Sequence, residues 1–365
     1  MISMNLYEDH FSAKDMRNIW SESETIRLWL WVEQRLAAHQ ADLGVIDPQV
    51  AACLATVSAD SIDRQQLSAD MQRVGRPILG LLNQLRTLLP THLQAQVHFG
   101  TTTQDIMDTA ANVQISHSIS WIETTIERIV DQLLVLERQH AQQDVIARTN
   151  GQYAMPMRLS QKFQVWRYEL LRRKDSITQL RSTALCLQLS GPVGDQQSLG
   201  TCATELRRRM ANDLGLLVLD PHWQNARDGL TELIGSVGLL AGSLTKISHN
   251  VNLLSSSDIG EFHERQLAGE GSSSSMKHKR NQRCSEFAEA TARLARQCAE
   301  QMGEFCNHEH ERNGGMWIGE WYIVPKVFLL TSAALQWVEK MLSNIEIDRE
   351  AINSNISKHQ ERLRV

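Results

Sequence analysis

The chain has 365 residues, of which 42% are hydrophobic and 22% charged, and its formal net charge at neutral pH is −5. This length allows one large domain or two to three smaller ones, and the composition is ordinary for a globular protein. The mild negative charge provides no global attraction to nucleic acid or to an anionic membrane surface, so an anionic ligand needs a local cluster of positive charge.

Targeting signals are not evident in the sequence. The first residues contain no apolar stretch after a basic start, and no run of about 18 apolar residues occurs, so we expect neither a secretory signal nor a membrane span. The six cysteines are scattered and none forms a C-x-x-C pair. This pattern is typical of reduced thiols and predicts a cytoplasmic protein without a disulfide framework or zinc site.

Long stretches without proline predict long helices. The first helix is expected after Ser21, which has the spacing of a capping box with Glu24, and Gly44 is a candidate end. Residues 111–140 repeat apolar positions in alternating steps of three and four, and residues 229–254 do the same. Further helices are predicted over residues 160–190, 285–306 and 328–345.

Strand signals are weak, because no alternating run bounded by turn dipeptides stands out. The predicted fold class is therefore all-α, with long helices packed at shallow angles in a bundle. Apolar residues also lie off the main seams, for example Leu134, Val135 and Leu253. They predict burial on more than one face, which favours a bundle over a two-stranded coiled coil. Because such bundles often complete their burial by oligomerising, we expect a homo-oligomer rather than a monomer.

Three polar segments that contain glycine interrupt the helices, and each precedes a long one. They are HFGTTTQDIMDTA (98–110), ARTNGQYAMP (147–156) and GSSSSMKHKRNQ (271–282). Helix N-termini bind carboxylates well, so each segment is a candidate anion site. Two plainer interpretations stay open: the first segment as a threonine-rich N-cap with Asp105 and Asp108 in the first turn, and the third as a flexible linker.

Together these segments resemble the fumarase/aspartase superfamily, within which the 3-carboxy-cis,cis-muconate cycloisomerase branch looks nearest. GSSSSMKHKRNQ resembles the signature loop GSSxMPxKxNP, HFGTTTQDIMDTA resembles HFGATSQDxxDTA, and ARTNGQYAMP resembles RTHGQxAxP. Two further stretches fit as well: GPVGDQQSLG (191–200) resembles GAVGTxxSLG, and HERNGGMWIGEW (310–321) resembles HERDAGAWxxEW.

The resemblance implies a central bundle of long helices, assembled as a homotetramer whose active sites combine loops from three subunits. It predicts an N-terminal helical domain over residues 1–97, a central long-helix bundle with the catalytic loops over 98–345, and a short C-terminal tail over 346–365. Relatives usually carry a further small C-terminal helical domain, which we expect this chain to lack. The expected partner is a small polycarboxylate substrate, with no nucleic acid and no membrane.

The resemblance also implies the chemistry, which is anti elimination next to a carboxylate, or its reverse, without a metal or other cofactor. Ser273 falls on the loop serine that acts as the base in family members. Lys279, expected to be catalytic, and Asn281 fall on positions that bind the substrate carboxylate whose charge grows in the transition state. His98 matches a histidine used in proton transfer or substrate binding.

Other matched positions are expected to hold the substrate. Thr102 and Thr103 would grip a carboxylate through hydroxyl and N–H groups, while Arg148 and Arg312 are candidates for bidentate contacts. The remaining expected substrate-binding residues are Asn150, Gln152, Ser274 and Met276.

Two plainer roles stay open for members of this set. His98 could be a structural histidine that caps its loop. Arg312 could form a surface ion pair with Glu309 or Glu311.

Two features of the segments depart from the family pattern. Asn150 occupies the position of the histidine in RTHGQ that protonates the leaving group in the lyases, and asparagine cannot supply that proton. This argues against lysis of adenylosuccinate or argininosuccinate and favours a stabilised leaving group, such as a carboxylate oxygen or nitrite. In the signature loop, Lys277 and Gln282 replace two prolines and Ser272 replaces a glycine, so ordering the loop costs more entropy.

The function predicted first is therefore a cycloisomerase or lyase that acts on a small polycarboxylate, with chemistry like that of 3-carboxy-cis,cis-muconate cycloisomerase. One alternative is a C–N lyase on a succinyl-type substrate, of the nitrosuccinate or adenylosuccinate type. The other is a catalytically reduced homologue that acts as a binding or assembly subunit.

Overall fold

The computed structural model describes residues 5–265, 275–276 and 281–362. Its helices are α1 (Glu8–Phe11), α2 (Lys14–Ile19), α3 (Glu22–Asp42), α4 (Pro48–Ala55), α5 (Arg64–Val74), α6 (Pro77–Thr87), α7 (Thr103–Gln139), α8 (Ser160–Ala184), α9 (Ala203–Leu214), α10 (Asp228–Leu254), α11 (Arg283–Glu300), α12 (Met302–Phe305), α13 (Gly314–Asn344) and α14 (Arg349–Arg362). Its strands are β1 (Asp144–Thr149), β2 (Gln152–Arg158), β3 (Phe262–Glu264) and β4 (Ile345–Ile347).

Five long helices, α7, α8, α10, α11 and α13, pack side by side as a bundle. Ion pairs along the helices fix their directions. Glu123 and Glu137 of α7 pair with Arg181 and Arg167 of α8 respectively, so these two helices are antiparallel. Ion pairs of the same kind show that α10 and α13 run parallel to α7. A hydrogen bond from Ser285, at the start of α11, to Asn252, near the end of α10, shows that α11 runs in the direction of α8. The predicted all-α bundle is confirmed.

The apolar seam of α7 forms the middle of the core. Its members, spaced by three and four, are each no more than 7% exposed: Ile115, Ile119, Ile122, Ile126, Ile129, Leu133 and Leu136. The corresponding seam of α10 is buried in the same way. Burial of such side chains on folding is the main stabilising term for helices that pack against one another.

The predicted helix ends agree with the structure in part. Ser21 accepts a hydrogen bond from the backbone N–H of Glu24 at 3.2 Å, which caps the start of α3. The helix expected over 328–345 instead begins at Gly314, where the Asn313 side chain caps it, and runs through Pro325. The prediction placed its start too late because a proline is usually a boundary, whereas here the bundle holds the flanking turns in place.

The strands, which the sequence analysis did not detect, form two short antiparallel pairs. β1 and β2 are joined by the two residues Asn150 and Gly151, whose φ angles are 51° and 75°. Positive φ at both central positions is the requirement of a type I′ turn, and Asn-Gly is the sequence that best satisfies it. β3 pairs with β4, directly after the end of α13.

Two helices, α10 and α13, are long and apolar enough to cross a membrane, with a mean hydropathy of 1.2. Neither helix contains an unbroken run of about 18 apolar residues, so the sequence analysis did not predict them as candidate spans. In their most apolar windows, 61% of α10 and 56% of α13 is buried inside the structure. Packing in the bundle therefore accounts for this hydropathy.

The predicted domain boundaries stay a prediction, but two described elements bear on them. The bundle begins with α7 at Thr103, after a set of shorter helices. The residues predicted as a tail include α14, which packs on β1, and Asn355 of α14 donates to the carboxylate of Glu261 at 2.9 Å. This part of the chain is therefore attached to the second polar segment.

Candidate active site

The four non-glycine residues with positive φ in the described structure all lie in segments that the sequence analysis singled out. They are His98, Asn150, Gln196 and His310, with φ angles between 51° and 67°. Non-glycine residues rarely adopt this conformation, and it persists where the surrounding structure holds it and often where function requires it. The backbone conformation therefore indicates that these loops are functional candidates, independently of the motif resemblance.

The first segment leads into α7 through a buried carboxylate. Asp105 accepts from the backbone N–H of Thr102 at 2.9 Å, and from those of Ser190 and Gly191 at 3.0 Å each. The two loops pack so tightly that a Cβ on Gly100 would lie 2.7 Å from a methyl group of Leu199. Burial raises the pKa of Asp105, while these hydrogen bonds oppose the rise.

The capping interpretation of this segment is thus confirmed for Asp105 but wrong for Asp108. Asp108 lies beyond the first turn and binds Arg227, which also binds Glu320. Trp317 donates its indole N–H to Asp108 at 2.8 Å. Burial and Glu320 raise the pKa of Asp108 against the effect of Arg227. This buried group joins α7, the start of α10 and α13.

Thr102 and Arg312, both predicted to bind substrate, meet in the structure. Arg312 donates from Nη1 to the Thr102 hydroxyl at 2.6 Å, although 210 positions separate them. Within the described part of the chain, the expected alternative, an ion pair with Glu309 or Glu311, is not formed. Thr103 is the first residue of α7, beside them.

His98 is held by a residue that sequence reasoning missed. Its Nδ1 lies 2.6 Å from Oε1 of Glu33, a side chain of α3 that is 1% exposed. Because a carboxylate accepts and does not donate, Nδ1 carries the hydrogen and Nε2 is left for other contacts. Burial alone would lower the pKa of His98, but the charge and hydrogen bond of Glu33 outweigh it and raise that pKa.

The ring of His98 therefore bonds α3 rather than capping its own loop. We call His98, Thr102, Asp105 and Arg312 the α7 entry cluster. It combines the imidazole of His98 with the Arg312 guanidinium, the Thr102 hydroxyl and the N–H groups at the start of α7. These donors suit a carboxylate ligand, since the Asp105 carboxylate is already bound by backbone N–H groups.

The second segment lies in the β1–β2 hairpin, where Arg148 binds a carboxylate of its own chain. Its Nη2 and Nη1 donate to Glu261 at 2.6 and 3.0 Å, and Glu261 is 0% exposed. The bidentate contact expected with substrate is therefore made with Glu261 in the structure. A substrate-binding role for Arg148 stays a prediction, and the contact that the structure shows attaches the hairpin to Glu261.

Asn150 and Gln152 lie at the exposed tip of this hairpin. Lys162, another residue that sequence reasoning missed, lies close enough to Arg148 and Glu261 for their charges to affect its pKa. Burial lowers the pKa of Lys162, although Glu261 opposes this. We call Arg148, Asn150, Gln152 and Glu261 the hairpin cluster.

The third segment is described only in part, since Ser273, Ser274 and Lys279 lie outside the described residues. Met276 is 45% exposed, and Asn281 is half-buried just before α11. The start of α11 is held by Glu264 of β3, which accepts from the N–H groups of Cys284 and Ser285 at 2.8 Å each. Asn281 therefore lies at the same end of the bundle as the hairpin cluster.

The two clusters lie at opposite ends of α7. This helix has 37 residues, and at 1.5 Å per residue it is about 55 Å long. Within one chain the structure does not bring the α7 entry cluster to the hairpin cluster or to Asn281. A site that uses residues of both ends needs more than one copy of the chain.

Comparison with known proteins adds the family. The lyase family profile matches residues 8–295. The chain belongs to the fumarase/aspartase superfamily. It is therefore an enzyme of this superfamily, and the predicted family is confirmed.

Individual members of the superfamily match nearly the whole chain. 3-Carboxy-cis,cis-muconate cycloisomerase of Pseudomonas aeruginosa is 31% identical over 96% of this chain and 77% of its own length. Trans-aconitate decarboxylase 1 of Mycosarcoma maydis is 30% identical over 97% of this chain and 72% of its own length. The crystal structure of the 3-carboxy-cis,cis-muconate lactonizing enzyme of Pseudomonas putida superposes with a TM-score of 0.88 at 28% identity, covering 96% of this chain and 79% of that one.

Proposed function

We propose that this lyase-family enzyme is a cycloisomerase that closes a lactone on an unsaturated polycarboxylate of the 3-carboxy-cis,cis-muconate type. A carboxylate oxygen of the substrate adds to one carbon of a double bond, and a proton is added to the neighbouring carbon, which is α to another carboxylate. Ser273 is proposed to move this proton. Lys279 and Asn281 stabilise the dianion that forms when the α carbon carries negative charge.

The observation that carries the proposal is Asn150 at the tip of the β1–β2 turn. An acid at this position would protonate a poor leaving group, and asparagine cannot do so. In lactone formation and its reverse, the group that adds or leaves is a carboxylate, which needs no proton. The positive φ of Asn150 also suits asparagine, so this residue fits both the turn and the chemistry.

The α7 entry cluster supports a substrate with several carboxylates. It provides the guanidinium of Arg312, the hydroxyl of Thr102 and the N–H groups at the start of α7 as hydrogen-bond donors to carboxylates. The names of the relatives agree with this, because carboxymuconate and trans-aconitate are both unsaturated tricarboxylates.

We also propose that the enzyme is a homotetramer in which the α7 entry cluster of one subunit meets the hairpin and signature loop of others. The separation of these groups by the length of α7 supports this arrangement. Long helices with exposed apolar residues, among them Leu239, Leu253 and Leu294, provide surface for such contacts.

The test is a panel of substrates followed by ultraviolet absorbance. Purified enzyme is incubated with 3-carboxy-cis,cis-muconate, trans-aconitate, adenylosuccinate and nitrosuccinate, alongside Ser273→Ala. We expect turnover of carboxymuconate to the lactone, and loss of that activity in Ser273→Ala. Turnover of adenylosuccinate or nitrosuccinate instead would favour the C–N lyase alternative, and no turnover would favour the catalytically reduced homologue.

A further inference from the structure

Lys162 is a half-buried lysine in the first turn of α8, next to the hairpin cluster. The side chain of the following residue, Phe163, is fully buried and stacks on Phe262, with 6.0 Å between the ring centroids. Phe262 comes directly after Glu261, the carboxylate that binds Arg148. This packing places the start of α8 beside Glu261, close enough for the charges of Glu261 and Arg148 to act on Lys162.

The ammonium group of Lys162 has no partner in the part of the chain that the structure describes, since it forms neither a hydrogen bond nor an ion pair there. Its Nζ atom is not fully buried, so a ligand can reach it. A cation in the first turn of a helix is also opposed by the helix dipole, and that turn of α8 contains no acidic residue. The contacts of the described residues therefore give Lys162 no role in stabilising the fold.

The charge of Lys162 is not balanced within the hairpin cluster. Arg148 and Glu261 form a bidentate pair and neutralise each other, so Lys162 leaves this group with one net positive charge. Burial lowers the pKa of Lys162, and the opposing effect of Glu261 is smaller. A carboxylate ligand beside Nζ would stabilise the charged ammonium group and remove this imbalance.

The proposed substrate has a carboxylate that still lacks a cation. A substrate of the carboxymuconate type carries three carboxylates. The α7 entry cluster is suited to one of them, and the signature loop is proposed to hold another. Arg148, the cation expected at the hairpin, is occupied by Glu261. Lys162 lies in position to supply the missing charge.

We propose that Lys162 binds one carboxylate of the substrate and thereby selects tricarboxylates over dicarboxylates. Its ammonium group donates to the carboxylate oxygens beside the Arg148–Glu261 pair and takes no part in proton transfer at the reacting carbons. This role rests on the proposed function, which supplies the class of substrate. Binding of a tricarboxylate that does not react tests the role of Lys162 without turnover, so the two proposals can fail separately.

Tricarballylate and glutarate are a matched pair of probes, because tricarballylate is glutarate with a third carboxylate on its central carbon. Isothermal titration calorimetry on the full chain should give a Kd for tricarballylate at least about tenfold below that for glutarate. Lys162→Met should weaken tricarballylate binding by at least about tenfold and leave glutarate binding unchanged, so that the preference is lost. Lys162→Arg should keep the preference, because arginine retains the charge and also donates to carboxylates.

Lys174→Met, about three turns further along α8, is the control. Lys174 is also partly buried but pairs with Glu127, so its removal should change neither Kd. Because Lys162 has no partner in the described structure, Lys162→Met should keep the wild-type free energy of unfolding in urea.

Three results would overturn the proposal. They are the absence of saturable tricarballylate binding to the wild type, equal binding of glutarate, and an undiminished preference in Lys162→Met. Failure of Lys162→Met to fold would also overturn it, because that result would assign the lysine a structural role.

Discussion

The imidazole of His98 lies 2.6 Å from the carboxylate of Glu33, and this contact joins the first polar segment to α3. It fixes which ring nitrogen faces the site and raises the pKa of the ring. Neither consequence follows from the motif alone, since Glu33 lies 65 positions earlier in the chain.

Glu33→Gln keeps the hydrogen bond but removes the charge, so the pKa of His98 should fall. The pKa of His98 is higher in the folded protein than in the unfolded chain, where it is about 6.5. The charged ring therefore stabilises the fold fully at pH values below the unfolded-state pKa, and this effect is lost as the pH rises through the folded-state pKa. The wild type should therefore exceed Glu33→Gln in unfolding free energy by about 1–3 kcal/mol at acidic pH, and by less at alkaline pH. Urea unfolding across that range and the NMR titration of His98 measure this.

The control for this experiment is Glu22→Gln, at the exposed start of the same helix. Its stability difference from the wild type should not depend on the protonation of His98. An unchanged NMR titration of His98 in Glu33→Gln would show that Glu33 does not set its pKa.

Arg148 and Arg158 provide a matched pair in the hairpin. Arg148→Met leaves the buried Glu261 carboxylate without its guanidinium, which should lower the unfolding free energy by about 3–5 kcal/mol. Arg158→Met breaks a pair with Asp144 in which both side chains are about half exposed, so its effect should stay within about 1 kcal/mol. Chemical denaturation compares them, and equal effects would contradict a structural role for the Arg148–Glu261 contact.

Two glycines that have open space around them should respond to alanine with opposite signs. Gly151, with φ of 75°, occupies the type I′ turn, so Gly151→Ala should destabilise by about 1–2 kcal/mol. Gly235 lies within α10 at an ordinary φ, and Gly235→Ala should stabilise by about 0.5–1 kcal/mol. Thermal unfolding tests both, and a neutral Gly151→Ala would mean that the turn is not of this type.

Thr102→Val removes the hydroxyl that Arg312 holds and keeps the shape of the side chain. If this hydroxyl holds a substrate carboxylate in the orientation for reaction, kcat/KM should fall by about 100-fold. Thr124→Val, at an exposed position of the same helix where the hydroxyl donates to the backbone carbonyl of Ser120, should have no effect. Because Thr102 and Arg312 contact each other, Thr102→Val combined with Arg312→Ala should cost less than the sum of the two.

Periodicity and motifs predicted the long helices and which loops carry the candidate site. The Ile115 to Leu136 seam appears as expected because every third or fourth residue of a helix shares a face. The β1–β2 hairpin was missed although Asn150–Gly151 is a strong turn signal, because neither flanking strand alternates cleanly. Partners such as Glu33 and Glu261 could not be predicted, since tertiary packing brings them to His98 and Arg148 from distant parts of the chain.

We propose that the two ends of the bundle, contributed by different subunits, make one active site. Thr102→Val and Asn281→Ala each impair one end, and each alone should be nearly inactive on the substrate identified in the panel. The two variants are mixed in equal amounts and allowed to reassemble at random. About a quarter of the sites would then combine an intact Thr102 from one subunit with an intact Asn281 from another. Recovery of about a quarter of the wild-type rate is the predicted result, and a mixture no more active than the separate variants would contradict the claim.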